Sequence, residues 1–204
     1  MTWPYHHSVS ESLVRAFPAR LAPIVSELAV ALPPARLRPA GSITVTSSHA
    51  WPGLVLAGEP VLIPKRVYNP EPAPGLVAEL STAETAVAAG IYSRHHDGRV
   101  RQRWLKTLLD SHEPWAAPFI VQLLGEYVIE ICGDISRFAH DNDPAASPGH
   151  ENIRAFLDEN PFFATLTRQR AISYWSCYYR GLHASQDSYP ALAALATLQA
   201  DNAG

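Results

Sequence analysis

Four polar residues recur at four-residue intervals through the most apolar stretch of the chain, Pro114 to His140. They are Gln122, Glu126, Glu130 and Asp134, set among Phe119, Leu123, Leu124, Val128, Ile131 and Ile135. On an α-helix this spacing places them in one slowly drifting stripe. Carboxylates one turn apart, such as Glu126 and Glu130, are the arrangement that shares a proton or works as an acid/base pair. These two are the candidate catalytic residues. Their other reading is structural, as acceptors for arginines reaching over from neighbouring helices.

The second candidate group is basic. Arg94 to Lys106 reads RHHDGRVRQRWLK, five Lys/Arg against one Asp. His95, His96, Arg99, Arg101 and Arg103 are candidates for holding an anion, because a helix N-terminus with arginine forks and imidazoles attracts phosphate or carboxylate. The same residues also fit a solvated face. The third group is Arg168 to Arg180, RQRAISYWSCYYR, which places four aromatics beside three arginines. Arg168, Trp175 and Tyr178 are its candidate partner-binding residues, since aromatic and arginine side chains dominate interface hot spots. Packing of a helix on two sides is the alternative use for them.

Familiar metal spacings are missing. The chain has no Glu-x-x-His, no His-Glu-x-x-His and no Cys-x-x-Cys, so no metal site and no cofactor are expected. Gly-rich phosphate loops and G-x-S-x-G are absent too. A net charge of −3 over 204 residues gives no broad basic surface, which argues against a nucleic-acid partner. Cys132 and Cys177 lie in apolar helical stretches and read as small buried hydrophobes in a reducing compartment. The N-terminus MTWPYHHSVSESL lacks a basic head and apolar core, so no signal peptide is expected. Glu126 and Glu130 would be expensive in lipid, so the apolar stretch is not a membrane span. A cytoplasmic protein is the expectation.

The elements that must position these groups follow from periodicity. Ser8 and Glu11 have capping-box spacing, and Leu13, Phe17, Leu21, Ile24 and Leu28 follow at helical intervals, interrupted by Pro18 and Pro23. Residues 42–47 alternate as a strand does, and 54–56 and 61–63 flank a hairpin turn at 57–60. Tyr68 to Gly75 holds three prolines and reads as a stiff connector. Beyond it come a Ser81-capped helix to Tyr92, an Asp97-capped helix, and a central helix over 118–138 with Pro118 in its first turn. A polar loop over 140–149, a helix from Asn160-Pro161 to Arg180 and an alanine-rich helix over 187–200 complete the chain.

This predicts an α+β protein, predominantly α, built as an antiparallel helix array around the central helix with a small N-terminal β segment. Its units are 1–67, the connector 68–75 and a helical part 76–204. Asp97-Gly-Arg-Val-Arg through Leu108, followed by Ala117-Pro-Phe-Ile-Val-Gln-Leu-Leu124, resembles the helix pairing of HEAT-type repeats. The resemblance covers some thirty residues and implies stacked helix pairs with a binding role. The expected function is a non-enzymatic helical interaction protein with a protein partner. The alternative is a small-anion-binding protein or enzyme with a Glu/His/Arg pocket beside the central helix.

Overall fold

A computed structural model describes residues 13–34, 53–141 and 147–200. Among them are nine α-helices and one two-stranded antiparallel sheet, so the fold is α+β and predominantly α. The expected strand over 42–47 and the Ser8–Glu11 cap lie outside the described residues.

Pro18 and Pro23 act as the sequence suggests. The chain turns at Pro18, passes through a 3-10 turn at Ala19–Leu21 and enters α1, Ala22–Ala31, with Pro23 in its first turn. Strands β1, Leu54–Leu56, and β2, Glu59–Val61, pair with Leu54 opposite Val61 and Leu56 opposite Glu59. The turn is two residues rather than the expected four. Ala57 and Gly58 both have positive φ, 50° and 81°, the geometry that matches strand twist in tight hairpins.

Next come α2, Pro74–Glu79, and α3, Thr82–Tyr92, which starts on a Ser81–Glu84 capping box. Asp97 caps α4, Gly98–Asp110, whose Val100, Trp104, Leu105, Leu108 and Leu109 are buried. The helices α5, Ala117–Leu124, and α6, Ile129–Asp141, follow. Then come α7, Pro148–Glu159, α8, Pro161–Tyr174, and α9, Pro190–Gln199. Helix α8 runs on into one π-helical turn at Trp175–Tyr179. Helix α7 begins at the end of the expected loop over 140–149 and covers 150–159, a stretch to which the sequence assigned no element. Its apolar positions, Ile153, Phe156 and Leu157, are few and widely shared with polar neighbours.

The main correction concerns the central helix: residues 118–138 are not continuous. The helix stops at Leu124, and Gly125–Val128 forms a turn before α6 begins. Glycine disfavours a helix interior by about 1 kcal/mol relative to alanine, and Gly125 sits here in a non-helical conformation with φ −87° and ψ 19°. The break lets Glu126 swing towards three arginines, a gain that continued helix would forgo. It also dissolves the polar stripe. Gln122 and Glu126 are buried, Asp134 is half-buried and Glu130 is exposed.

One hydrophobic core links the whole described chain, from Leu13 and Phe17 through Leu105, Phe119 and Ile135 to Leu198. Helix α3 packs on α1 and α4, α5 on α7 and α8, and α9 along α6. The proline-rich stretch is held against this body. Tyr92 donates its hydroxyl to Pro70 O (2.7 Å), Asn69 donates to Pro33 O (2.9 Å), and Trp104 Nε1 donates to Glu71 (2.9 Å). The hairpin is fixed in the same way. Asn160 accepts from Val55 N (2.9 Å) and donates to Val55 O (2.7 Å), standing in for a third strand, while Glu159 accepts from the Ala57 and Gly58 amides (both 2.8 Å).

Candidate functional site

The Gly125–Val128 turn is where the basic and aromatic sequence groups meet. On one side Glu126, 3% exposed, is enclosed by three guanidiniums. Arg94 Nη2 lies 2.5 Å from Glu126 Oε1, Arg66 Nη1 lies 2.8 Å from the same oxygen, and Arg101 Nε lies 3.2 Å from Oε2. Arg94 and Arg101 are 1% and 0% exposed in their side chains.

Backbone carbonyls take up several of the remaining donors, though not Arg101 Nη2, which is buried without a hydrogen-bond partner. Arg94 Nε donates to Pro64 O (3.1 Å) and its Nη2 to Lys65 O (3.1 Å). Arg101 Nη1 donates to His95 O (2.8 Å) and His96 O (3.1 Å). Those last two carbonyls lie just past the C-terminus of α3, the end at which a helix dipole favours positive charge. A single parallel bridge, with Val67 N donating to Arg94 O and His96 N to Val67 O, ties the segment after β2 to the same place.

Electrostatics fix what this cluster can do. Burial pushes the Glu126 carboxyl up, but Arg94, Arg66 and Arg101 together outweigh it and hold the group at about 2. A carboxyl held there takes up no proton near neutrality. From the other side, burial is the larger influence on Arg94 and lowers it to about 10 despite Glu126. The carboxylate gains from the arginines while they lose by being buried, and the two effects oppose each other. Such a cluster fixes geometry and adds little net stability, as buried ion pairs generally do.

The candidate residues separate by location. Glu126 is interior and Glu130 is exposed at the start of α6, so the two do not form a paired site. Arg101 is fully buried and presents nothing to a partner. His95 is buried, accepts from Asp97 N through Nδ1 (3.1 Å), and is lowered by burial and then by His96, so its ring is neutral. His96 is exposed and stacks on Tyr68, with ring centroids 5.0 Å apart. Arg99 is exposed at the start of α4. Arg103 pairs with Glu71 on the outer face of that helix. Arg168 is exposed on α8. The basic stretch therefore does not converge on one anion pocket.

On the other side of the turn the aromatics gather. Arg170 Nε donates to Gly125 O (3.0 Å) and the Tyr179 hydroxyl donates to Tyr127 O (2.5 Å), so the turn is held from α8 and its π-helical extension. Tyr127 is thereby set 52% exposed, 6.3 Å from the Tyr174 ring, which stacks on Tyr178. Tyr178 is 70% and Leu182 76% exposed. Trp175 is half-buried, donates to His183 O (2.9 Å) and carries Arg180 5.3 Å over its ring. π-Helical turns of this kind recur at functional sites.

Sequence reasoning missed Arg66 and Tyr127. Arg66 sits in an unpatterned stretch, and Tyr127 was absorbed into the apolar run of a helix that breaks beside it. Among the described residues no three or more His, Cys, Asp or Glu side chains are grouped to hold a metal, and no helix is long and apolar enough to cross a membrane. Comparison with known proteins finds no matching family model, no matching curated protein and no matching solved structure.

Proposed function

We propose that this chain is a non-enzymatic helical interaction protein that docks a protein partner on the surface built from Tyr127, Tyr174, Tyr178 and Leu182. One observation carries the reading. Three of the five large, strongly exposed hydrophobic side chains among the described residues lie here: Tyr127 in this turn, Tyr178 in the π-helical segment, and Leu182 in the turn that follows it, with its amide donating to Tyr179 O. Clustered exposed apolar side chains mark interaction sites, whereas single ones do not. Tyrosine supplies large contact area while losing little side-chain freedom.

Rigidity beneath the patch supports the same reading. The turn is gripped by three arginines on one side and by Arg170 and Tyr179 on the other, so little ordering remains to oppose binding. Catalysis by the Glu126/Glu130 pair has less support, since one carboxylate is sealed among arginines and the other is in solvent. HEAT-like stacking of helix pairs and a reducing, cytoplasmic setting belong to this proposal; of the two thiols read as buried from the sequence, Cys132 is buried and Cys177 is exposed on the π-helical turn.

The test is co-purification from cells with tagged wild type and with Tyr127→Ser/Tyr178→Ser. The double variant keeps its fold and loses the partner recovered with wild type. Undiminished recovery of that partner would overturn the assignment of this surface.

A further inference from the structure

We infer that the segment a partner lays on the tyrosine surface is an acidic peptide, with an Asp or Glu carboxylate seated between Arg66 and the Tyr127 hydroxyl. The inference rests on the docking role of that surface and adds the charge of what docks there.

The cluster beneath the turn holds more positive charge than it neutralises. Arg94, the nearest at 2.5 Å, is enough to balance Glu126 by itself, which leaves Arg66 and Arg101 in excess. Neither has a second carboxylate within 4 Å among the described residues. Arg101 is 0% exposed, and its Nη2 is buried without a hydrogen-bond partner. That nitrogen lies where α4 meets the turn: a Cβ on Gly98 would stand 3.6 Å from it and 3.2 Å from Val128 Cγ2. Asp97 is already engaged as the cap of α4, accepting from Arg99 N (2.8 Å). Glu130, where α6 begins, bears on Tyr179 and Cys132.

Buried charges are weakly screened, so this excess acts on whatever arrives at the nearest opening to solvent. Arg66, 25% exposed, is the most open of the three guanidiniums. It donates through Nη1 to Lys65 O and Glu126, leaving Nε and Nη2 without a partner among the described residues. Tyr127, 52% exposed, follows Glu126 in the chain. Burial lowers the Arg101 guanidinium and so does Arg66, while Glu126 and the neighbouring Tyr127 hydroxyl favour its charge. A carboxylate accepting from Arg66 and from that hydroxyl offsets the repulsion between the arginines. Arg101 itself touches no partner and contributes only its charge. The rings of Tyr174 and Tyr178, stacked beside Tyr127, call for an aromatic or aliphatic residue next to the carboxylate.

The test is selection of a random dodecapeptide phage library on the immobilised full chain, then calorimetric titration with the best peptide. Enriched peptides carry Asp or Glu beside an aromatic or aliphatic residue, and Tyr178→Ser abolishes their binding. Replacing the peptide's acidic residue by its amide weakens binding about tenfold, the value of one charge-assisted hydrogen bond. Arg66→Gln weakens the acidic peptide by about the same factor. Tyr127→Phe, which removes only an exposed hydroxyl, weakens it about threefold. Neither variant weakens the amide peptide further. Enriched peptides that need Tyr178 but are neutral or basic would overturn the inference and leave the docking surface standing. Acidic peptides that bind Tyr178→Ser as well as wild type would overturn both. No enrichment would overturn the inference, as would tighter binding of oligothymidylate than of any selected peptide, in favour of a nucleic acid.

Discussion

Replacing Glu126 by Gln tests the arginine cluster at its centre. The substitution keeps shape and removes the one carboxylate shared by Arg66, Arg94 and Arg101. A carboxyl brought from its ordinary 4.5 to about 2 by folding is worth about 3 kcal/mol at neutral pH, at 1.36 kcal/mol per tenfold change. Stranding buried guanidiniums costs about 3–5 kcal/mol in comparable cases. The two routes agree, so Glu126→Gln should lower unfolding free energy by about 3 kcal/mol in urea titrations at pH 7.

Acid supplies the sharper check. The folded value lies below the unfolded one, so Glu126 contributes fully above 4.5 and loses its contribution as pH falls towards 2. The gap between wild type and variant should shrink from about 3 kcal/mol at pH 7 to about 1 kcal/mol near pH 2.5. His95, lowered below 6.5 by burial, also loses stability on acidification. It does so in both proteins and cancels in the difference. A variant within about 0.5 kcal/mol of wild type at pH 7, or a gap that does not change with pH, would refute the reasoning.

Asn160→Ala removes a buried amide that pairs with both backbone groups of Val55 and with Phe156 O. It should cost about 2 kcal/mol in urea unfolding and speed hydrogen exchange at the Val55 amide. Gly90→Ala sets about 1 kcal/mol of helix propensity against a Cβ placed 3.0 Å from Phe17 Cε1 and 3.1 Å from Trp115 Cζ3. Both rings are buried and edge-on to each other at 5.2 Å, so overpacking of about 1–3 kcal/mol wins and the thermal midpoint falls. Tyr178→Ser, at an exposed position, should change stability by less than about 0.5 kcal/mol in the same assay.

Local signals in the sequence were sound where one residue type settles the backbone. Ser81 with Glu84, Asp97 and Pro118 each start a helix where their chemistry says they should. Non-local competition was harder to read. The four-residue spacing from Gln122 to Asp134 favours a helix, and it is Gly125 together with the arrival of Arg66, Arg94 and Arg101 at one point in space that turns the chain instead. The carboxylate–arginine pairing was legible for Glu126 and not for Glu130, because the break decides which of the two faces inward. The tyrosine surface was half visible. Tyr178 stood out beside its arginines, whereas Tyr127 joins it only through the turn.

Site-specific photocrosslinking tests the central claim most directly. With a photoreactive phenylalanine analogue at Tyr178, and as a control at Ala155, exposed on α7, irradiation in cells should give a discrete protein adduct at position 178. Position 155 should give none. Adducts of equal yield at both positions, or none at 178, would contradict a docking surface on the tyrosine turn.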